Sequence, residues 1–159
     1  MTTIAEPEPK QRTPETVEEI VAQVLSGKDA DGNALIDEYG KPTRWGWRKI
    51  GRLLQQPMPT RDRPGRGGRK FEYITARQAA ERLDTVVGCG NWSSAFRVLD
   101  LEHGAVECTL TVCEVSKADV GYPNDADNDP EDEPLKAAYS DAFKRAAVQF
   151  GIGRWLYQG

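Results

Sequence analysis

The chain has 159 residues, of which 38% are apolar and 29% are charged, and this composition allows one ordinary domain with an extension. No apolar run approaches the roughly 20 residues that a membrane-spanning helix needs, which argues against an integral membrane protein. Three cysteines without a CxxC pair and one histidine argue against a disulfide scaffold and a zinc finger. The net charge of −4 argues weakly against a nucleic-acid partner, but the charges are sorted along the chain. No export or import signal is visible, so we expect a cytoplasmic protein.

Residues 1–40 form an acidic N-terminal extension with nine acidic and three basic residues. Residues 1–12 are polar and include two prolines, which predicts disorder. A short amphipathic helix is predicted next, with Thr13 as its N-cap and Pro14 at its first position. Its apolar residues recur at helical spacing until Gly27 ends the run: Val17, Ile20, Val21, Val24 and Leu25.

Residues 41–70 are strongly basic, with ten basic residues and one acidic residue. Such a local excess of positive charge attracts a polyanion. A helix is predicted from Trp45 to Gln56, and Pro57 ends it. Residues 57–70 contain three prolines and three glycines without an apolar period, and therefore predict a basic loop. On charge alone, this loop could also be a solvated segment without function.

The apolar pattern becomes regular after Phe71 and predicts an α+β core. Thr75 and Gln78 fit a capping box, which starts a helix that Gly88 ends. Strands are predicted at 92–99, 106–113 and 116–120, and their order makes an antiparallel meander.

A last helix is predicted to begin at Pro134, after the acidic loop 123–133. Its apolar residues form one stripe, and Lys144 and Arg145 lie on the opposite side. Asp141 can pair with Arg145 at i,i+4. The Lys-Arg pair and the basic loop together are the strongest local signal, because cations held on a rigid helix can neutralise phosphates.

An acidic run raises two metal hypotheses, and its members are Asp125, Asp127 and Asp129. Pro130 and Lys136 stand where a calcium loop needs glycine and glutamate, so calcium binding is disfavoured. The run could instead supply carboxylates to a metal-dependent nuclease, but its composition indicates a flexible loop. Cys89 and His103 could form a nucleophile and base pair, but no third residue is present to orient the histidine, so this pair is disfavoured. We therefore expect no metal site, no catalytic residue and no cofactor.

Three stretches carry a family resemblance: Gly67–Ile74 (GGRKFEYI), Val87–Ser93 (VGCGNWS), and Asp119–Tyr122 (DVGY) followed by Lys136–Gly151 (KAAYSDAFKRAAVQFG). In this order they resemble the annealing domain of the Rad52 family of single-strand annealing proteins, over about residues 50–159. The last helix is the most specific part. The small size is similar to that of a bacterial or phage member.

The resemblance implies a three-stranded antiparallel meander packed with helices (a β-β-β-α core), in a subunit that closes into a ring. It further implies a basic groove that holds single-stranded DNA with its bases outward, without nucleotide hydrolysis. The family's groove Lys-Arg pair maps onto Lys144 and Arg145. A third groove arginine maps onto Gln78, and Arg77 is the nearest cation. Several relatives carry basic residues for a second, outer DNA site where this chain has the acidic stretch 124–133.

The sequence thus predicts that residues 41–159 form a DNA-annealing domain that is not an enzyme. It would bind single-stranded DNA and anneal complementary strands without ATP in homologous recombination and double-strand break repair. The expected DNA contacts are Lys144, Arg145, Arg77, Arg69, Lys70, Arg66, Lys136 and Arg154. Arg69 and Lys70 are expected to replace, in part, the cation missing at Gln78.

The expected partners are single-stranded DNA, further copies of the chain and recombination proteins of the host or phage, with no membrane involved. The expected location is the cytoplasm of a bacterial or phage-infected cell, in association with the nucleoid. Two alternatives stay open: a non-annealing module for single strands or structured RNA, and a metal-dependent nuclease.

Overall fold

The chain folds into helices and strands of the predicted α+β class. The computed structural model describes residues 15–123 and 133–158. The helices are α1 (Val17–Ser26), α2 (Arg44–Leu54), α3 (Ala76–Val87) and α4 (Pro134–Gln149). The strands are β1 (Arg61–Pro64), β2 (Lys70–Tyr73), β3 (Trp92–Asp100), β4 (Ala105–Val112) and β5 (Val115–Gly121). Predictions for residues 1–14 and for the acidic run 125–129 lie outside the described residues.

Strands β3, β4 and β5 form an antiparallel sheet in that order, which confirms the predicted meander. Alternate side chains of β4 are fully buried, and they are Val106, Cys108, Leu110 and Val112. Helix α4 packs on this face through small residues, of which Ala138, Ala142 and Ala146 are fully buried. A Cβ on Gly121 would lie 2.2 Å from the backbone nitrogen of Ala142. The absence of a side chain there lets helix and sheet approach closely.

Helices α2 and α3 complete the core beside α4. Leu54 and Leu83 are fully buried, and the Trp47 ring stacks on Phe150 with 6.4 Å between ring centroids. Helix α1 packs on α2, where Ile20 is buried. No helix in the described ranges is long and apolar enough to cross a membrane.

The first helix begins later than predicted. Thr16 is the N-cap of α1, because its hydroxyl accepts a hydrogen bond from the Glu19 backbone N–H at 3.2 Å, while the predicted N-cap, Thr13, lies outside the described residues. The Glu19 carboxylate in turn accepts from the Thr16 backbone N–H at 2.8 Å. This reciprocal capping box starts the helix at Val17. At α3, the predicted Thr75–Gln78 capping box is confirmed.

The predicted basic loop at 57–70 is wrong in its second half, which forms a β-hairpin. Strand β1 pairs with β2 in an antiparallel register that runs from Arg61 opposite Tyr73 to Pro64 opposite Lys70. Gly67 and Gly68, with φ of 72° and 74°, form the turn between them. The strands carry mostly charged residues, so no apolar alternation marks them in the sequence. Proline is tolerated in β1 because this short hairpin strand has an open edge.

Candidate nucleic-acid interface

Lys144 and Arg145 lie off the fully buried stripe of α4, as predicted. Lys144 is half-buried and Arg145 is exposed, while Ala142 and Ala146 beside them are fully buried. The predicted pair of Arg145 with Asp141 is wrong. Arg145 Nε lies 3.6 Å from Asp119 Oδ1 on β5, and Asp141 Oδ2 accepts a hydrogen bond from the Tyr122 backbone N–H.

The β1–β2 hairpin brings a second cation to the same place. The Arg63 guanidinium carbon lies 5.9 Å from the centre of the Tyr73 ring, and the Lys144 ammonium lies 5.7 Å from the same centre. A cation within about 6 Å of an aromatic ring is attracted by its negative face. Tyr73 therefore holds together two positive charges that come from different elements.

These residues line a groove of about 360 Å³ between the hairpin and α4. Three basic residues line it, together with two tyrosines and two acidic residues: Arg63, Lys144, Arg145, Tyr73, Tyr157, Glu72 and Asp141. A smaller hollow of about 200 Å³ continues between Asp119, Arg145 and Tyr157. Tyr157 is 72% exposed, so its ring can stack on a planar group. Cations next to exposed aromatic rings form a surface suited to a single-stranded nucleic acid.

The other predicted contacts in the hairpin lie at its far end. Arg66 belongs to the turn Arg66–Gly68, and Arg69 and Lys70 are exposed beside it. Lys70 Nζ lies 4.0 Å from Asp62 Oδ2 across the strands. Tyr73 is three residues from Lys70, or about 10 Å along an extended strand. Neither Arg69 nor Lys70 lines the groove that contains Lys144, although the neighbouring Phe71 does.

Gln78 has a structural task at the position where the resemblance implies an arginine. Its side-chain oxygen accepts from the Thr75 backbone N–H at 2.9 Å, and its nitrogen donates to the Pro59 carbonyl at 2.7 Å. Arg77 is exposed on the first turn of α3. Lys136 is exposed near the start of α4, eight residues or about 12 Å before Lys144.

Arg154 is half-buried and serves the end of α4. Its guanidinium donates to the carbonyls of Val148 and Gln149 at 3.0 and 3.1 Å. Cations near a helix C-terminus satisfy its last carbonyls and interact well with the helix dipole. The structure therefore gives Arg154 a capping role and places it outside the groove lining.

Arg82 on α3 fixes the segment that leads into the hairpin. Its guanidinium donates to the carbonyls of Leu53 and Gln56 at 2.9 and 2.7 Å. Burial lowers the pKa of Arg82, although an arginine side chain stays charged in proteins. Together with the Gln78 bond to Pro59, this contact sets where β1 begins and so positions Arg63.

Arg63 and Tyr73 were not predicted as site residues, because their proximity depends on contacts between distant parts of the chain. They are ten residues apart, and only the strand pairing brings them together. The one usable cue was the alternation of Arg61, Asp62 and Arg63 before a glycine-rich turn, which fits a charged hairpin strand.

Comparison with known proteins decides the family. The sequence model of the Rad52/22 family, described as double-strand break repair proteins, matches residues 48–159. The chain belongs to the Rad52/22 family. This confirms the resemblance found in the sequence, and the matched span contains the hairpin, the meander and α4.

Two relatives carry the name single-stranded DNA-binding protein DdrA. The one from Deinococcus deserti is 45% identical over 87 residues, which cover 54% of this chain and 40% of the relative. The one from Deinococcus radiodurans is 42% identical over 86 residues, which cover 54% of this chain and 39% of the relative. The match thus spans about two fifths of the length of these relatives.

Proposed function

We propose that the chain binds single-stranded DNA in the groove between the β1–β2 hairpin and α4. The observation that carries this proposal is the convergence of Arg63 and Lys144 on the Tyr73 ring. Arg145 adds a third basic side chain to the groove lining, with the Asp119 carboxylate 3.6 Å from its Nε. The names of the Deinococcus relatives point to the same ligand.

The groove would act on the DNA backbone and leave the bases available. Phosphates that contact Arg63 and Lys144 lose their condensed counterions, and this release favours binding. Backbone contacts carry no sequence information, so the protein needs no sequence preference of its own. Base pairing between two bound strands then supplies the free energy of annealing, and no nucleotide is hydrolysed. Further phosphate contacts outside the groove would come from Arg66, Arg69 and Lys70 at the hairpin tip, from Arg77 on α3 and from Lys136 on α4.

A homo-oligomeric ring is proposed as the working form. The sheet ends in two edge strands, β3 and β5, whose outer backbone groups have no partner strand among the described residues. The β3 edge also carries exposed apolar side chains, including Leu99 and, just beyond the strand, Leu101 at 80% exposure. An open, partly apolar edge is a template for pairing with another chain. Repeated head-to-tail contacts close into a ring, which would multiply weak contacts along one strand.

The family membership supports a proposal for the biological setting. We propose a role in homologous recombination and double-strand break repair in a bacterial or phage-infected cell, with recombination proteins as further partners. The organisms and names of the relatives support this setting.

An annealing assay tests the proposal against its alternatives. Two complementary labelled oligonucleotides are mixed with the protein, with and without ATP, and the rate of duplex formation is measured. We expect the same acceleration in both conditions. A protein that binds single strands without accelerating duplex formation would be a plain binding module. Cleavage of labelled DNA in the presence of magnesium would instead support the nuclease, and a monomeric mass by native mass spectrometry would contradict the ring.

A further inference from the structure

Three arginines form a row on the solvent side of α2. Arg44, Arg48 and Arg52 are four residues apart, so they fall within an arc of about 80° and advance about 6 Å per step. All three are exposed. The opposite side of the helix packs into the core through Ile50 and Leu54. The core contact therefore fixes where this arginine row faces.

Trp45 orders two members of the arginine row. The guanidinium carbons of Arg44 and Arg48 lie 4.4 and 4.8 Å from the centre of its ring. Such contacts use the face of a guanidinium and leave the N–H donors around its edge available. Those edge donors match the oxygens of a phosphate, often two at a time. Stacking also lowers the entropy that the side chains lose when they bind.

The arginine row is poorly neutralised by its surroundings. Arg52 Nη1 lies 3.3 Å from the Glu15 carboxylate, which also binds Lys49 at 2.6 Å. In the part of the chain that the structure describes, neither Arg44 nor Arg48 forms an ion pair. Like charges at i,i+4 destabilise a helix, whereas a face that serves only solubility typically mixes both signs. The row is thus a concentrated, ordered positive surface rather than a balanced one.

We infer that the arginine row of α2 binds the phosphodiester backbone of a DNA strand, at a second site separate from the groove. The groove is lined by β1, β2, α4 and the residues after α4, and no residue of α2 takes part. Trp45 is half-buried between its arginines, so the site would contact phosphates without stacking bases. The inference rests on the proposed function, since it supplies a place for further length of the bound strand or for its complement.

The test compares salt dependence among full-length variants. The α2 variant is Arg44→Gln with Arg48→Gln, and the groove variant is Arg63→Gln with Lys144→Gln. The control, Lys28→Gln with Arg97→Gln, removes the same charge from exposed positions elsewhere. Binding of a fluorescent oligothymidine is measured by anisotropy between 50 and 200 mM salt. Thermal unfolding verifies that each variant is folded.

The α2 variant should lose two phosphate contacts. The slope of log K against log salt should fall by about 0.7 per contact on single strands, or about 1.4 in all. Its affinity deficit should then be about sevenfold larger at 50 mM than at 200 mM salt. A second variant, Arg44→Lys with Arg48→Lys, keeps the charge and should keep the slope of the wild type.

The outcomes separate this inference from the proposed function. If the α2 variant matches the control while the groove variant loses binding, the arginine row is only a solvated face and the inference is wrong. The inference is equally wrong if the lysine variant loses slope as the glutamine variant does, because charge would then not be the cause. If the wild type binds no oligothymidine at any salt concentration, the proposed function fails and this inference fails with it.

Discussion

Neutralising the two cations at Tyr73 should weaken DNA binding without unfolding the protein. In the variant Arg63→Gln with Lys144→Gln, each substitution removes a charge from the groove and keeps a polar side chain of useful length. Cation–π contacts at exposed sites contribute about 0.5–1 kcal/mol each, so the free energy of unfolding should fall by at most about 2 kcal/mol. Neither residue belongs to the buried core.

The expected loss in binding is much larger than the loss in stability. Hydrogen bonds to charged groups contribute about 1.5–3 kcal/mol. Since the groove is open to solvent, the lower figure applies. Losing two contacts should reduce the binding free energy by about 3 kcal/mol, which raises the dissociation constant roughly 150-fold at low salt.

Fluorescence anisotropy with oligothymidine measures this effect, and thermal unfolding measures stability. The matched control is Lys28→Gln with Arg97→Gln, since it lowers the net charge equally; Arg97 pairs with Glu107 at 3.1 Å on the β3–β4 ladder. If the groove variant binds as tightly as this control at 50 mM salt, Lys144 and Arg63 form a solvated surface and the groove is not the DNA site.

Three further outcomes are expected. Arg82→Met should leave the carbonyls of Leu53 and Gln56 without their donor and so lower the free energy of unfolding by about 2 kcal/mol. Oligothymidine binding should also weaken, because β1 is no longer held in place. If the melting temperature falls and binding is unchanged, these hydrogen bonds of Arg82 serve stability alone. The hydrogen bond from Lys49 lowers the pKa of Glu15 below its usual 4.5. The ionised Glu15 therefore stabilises the folded protein above pH 4.5, and this contribution is lost as the pH falls through the lowered pKa. In Glu15→Gln, the loss of stability on acidification should be smaller, and an unchanged loss measured by pH-dependent unfolding would contradict this prediction. The triple variant Asp125→Asn, Asp127→Asn and Asp129→Asn should anneal DNA at the same rate or slightly faster, because three negative charges that repel DNA are removed and no metal is lost. If annealing is abolished while the oligomer mass is unchanged, a metal bound by these carboxylates would be supported instead.

The elements that the sequence predicted well are those with a local apolar period. Val106 to Val112 alternate at period two, and Ala138, Ala142 and Ala146 recur at helical spacing, so β4 and α4 were visible without tertiary information. The hairpin was missed because β1 and β2 consist mainly of charged and exposed residues, and its glycines and prolines are equally typical of a loop.

The candidate site was predicted only in part. Lys144 and Arg145 were found from the helix pattern together with the family resemblance. Arg63 and Tyr73 depend on strand pairing and on the packing of the hairpin against α4, which no local pattern encodes. The DNA contact of Arg154 stays a prediction, and the fold shows what the sequence did not, namely that its guanidinium binds carbonyls at the end of α4. The sequence shows where charged residues occur, but the groups that each charged side chain contacts depend on the fold.

The close approach of Gly121 to α4 has a consequence for protein engineering. A Cβ added at Gly121 would lie 2.2 Å from the backbone nitrogen of Ala142, so any side chain introduced there would push α4, one wall of the groove, away from the sheet. The opposite wall is a short hairpin, which is anchored through side-chain bonds to the carbonyls that precede it. A designer who wishes to widen the groove, or to adapt it to a bulkier polyanion, should therefore graft new hairpins between Thr60 and Ile74 and leave the helix untouched.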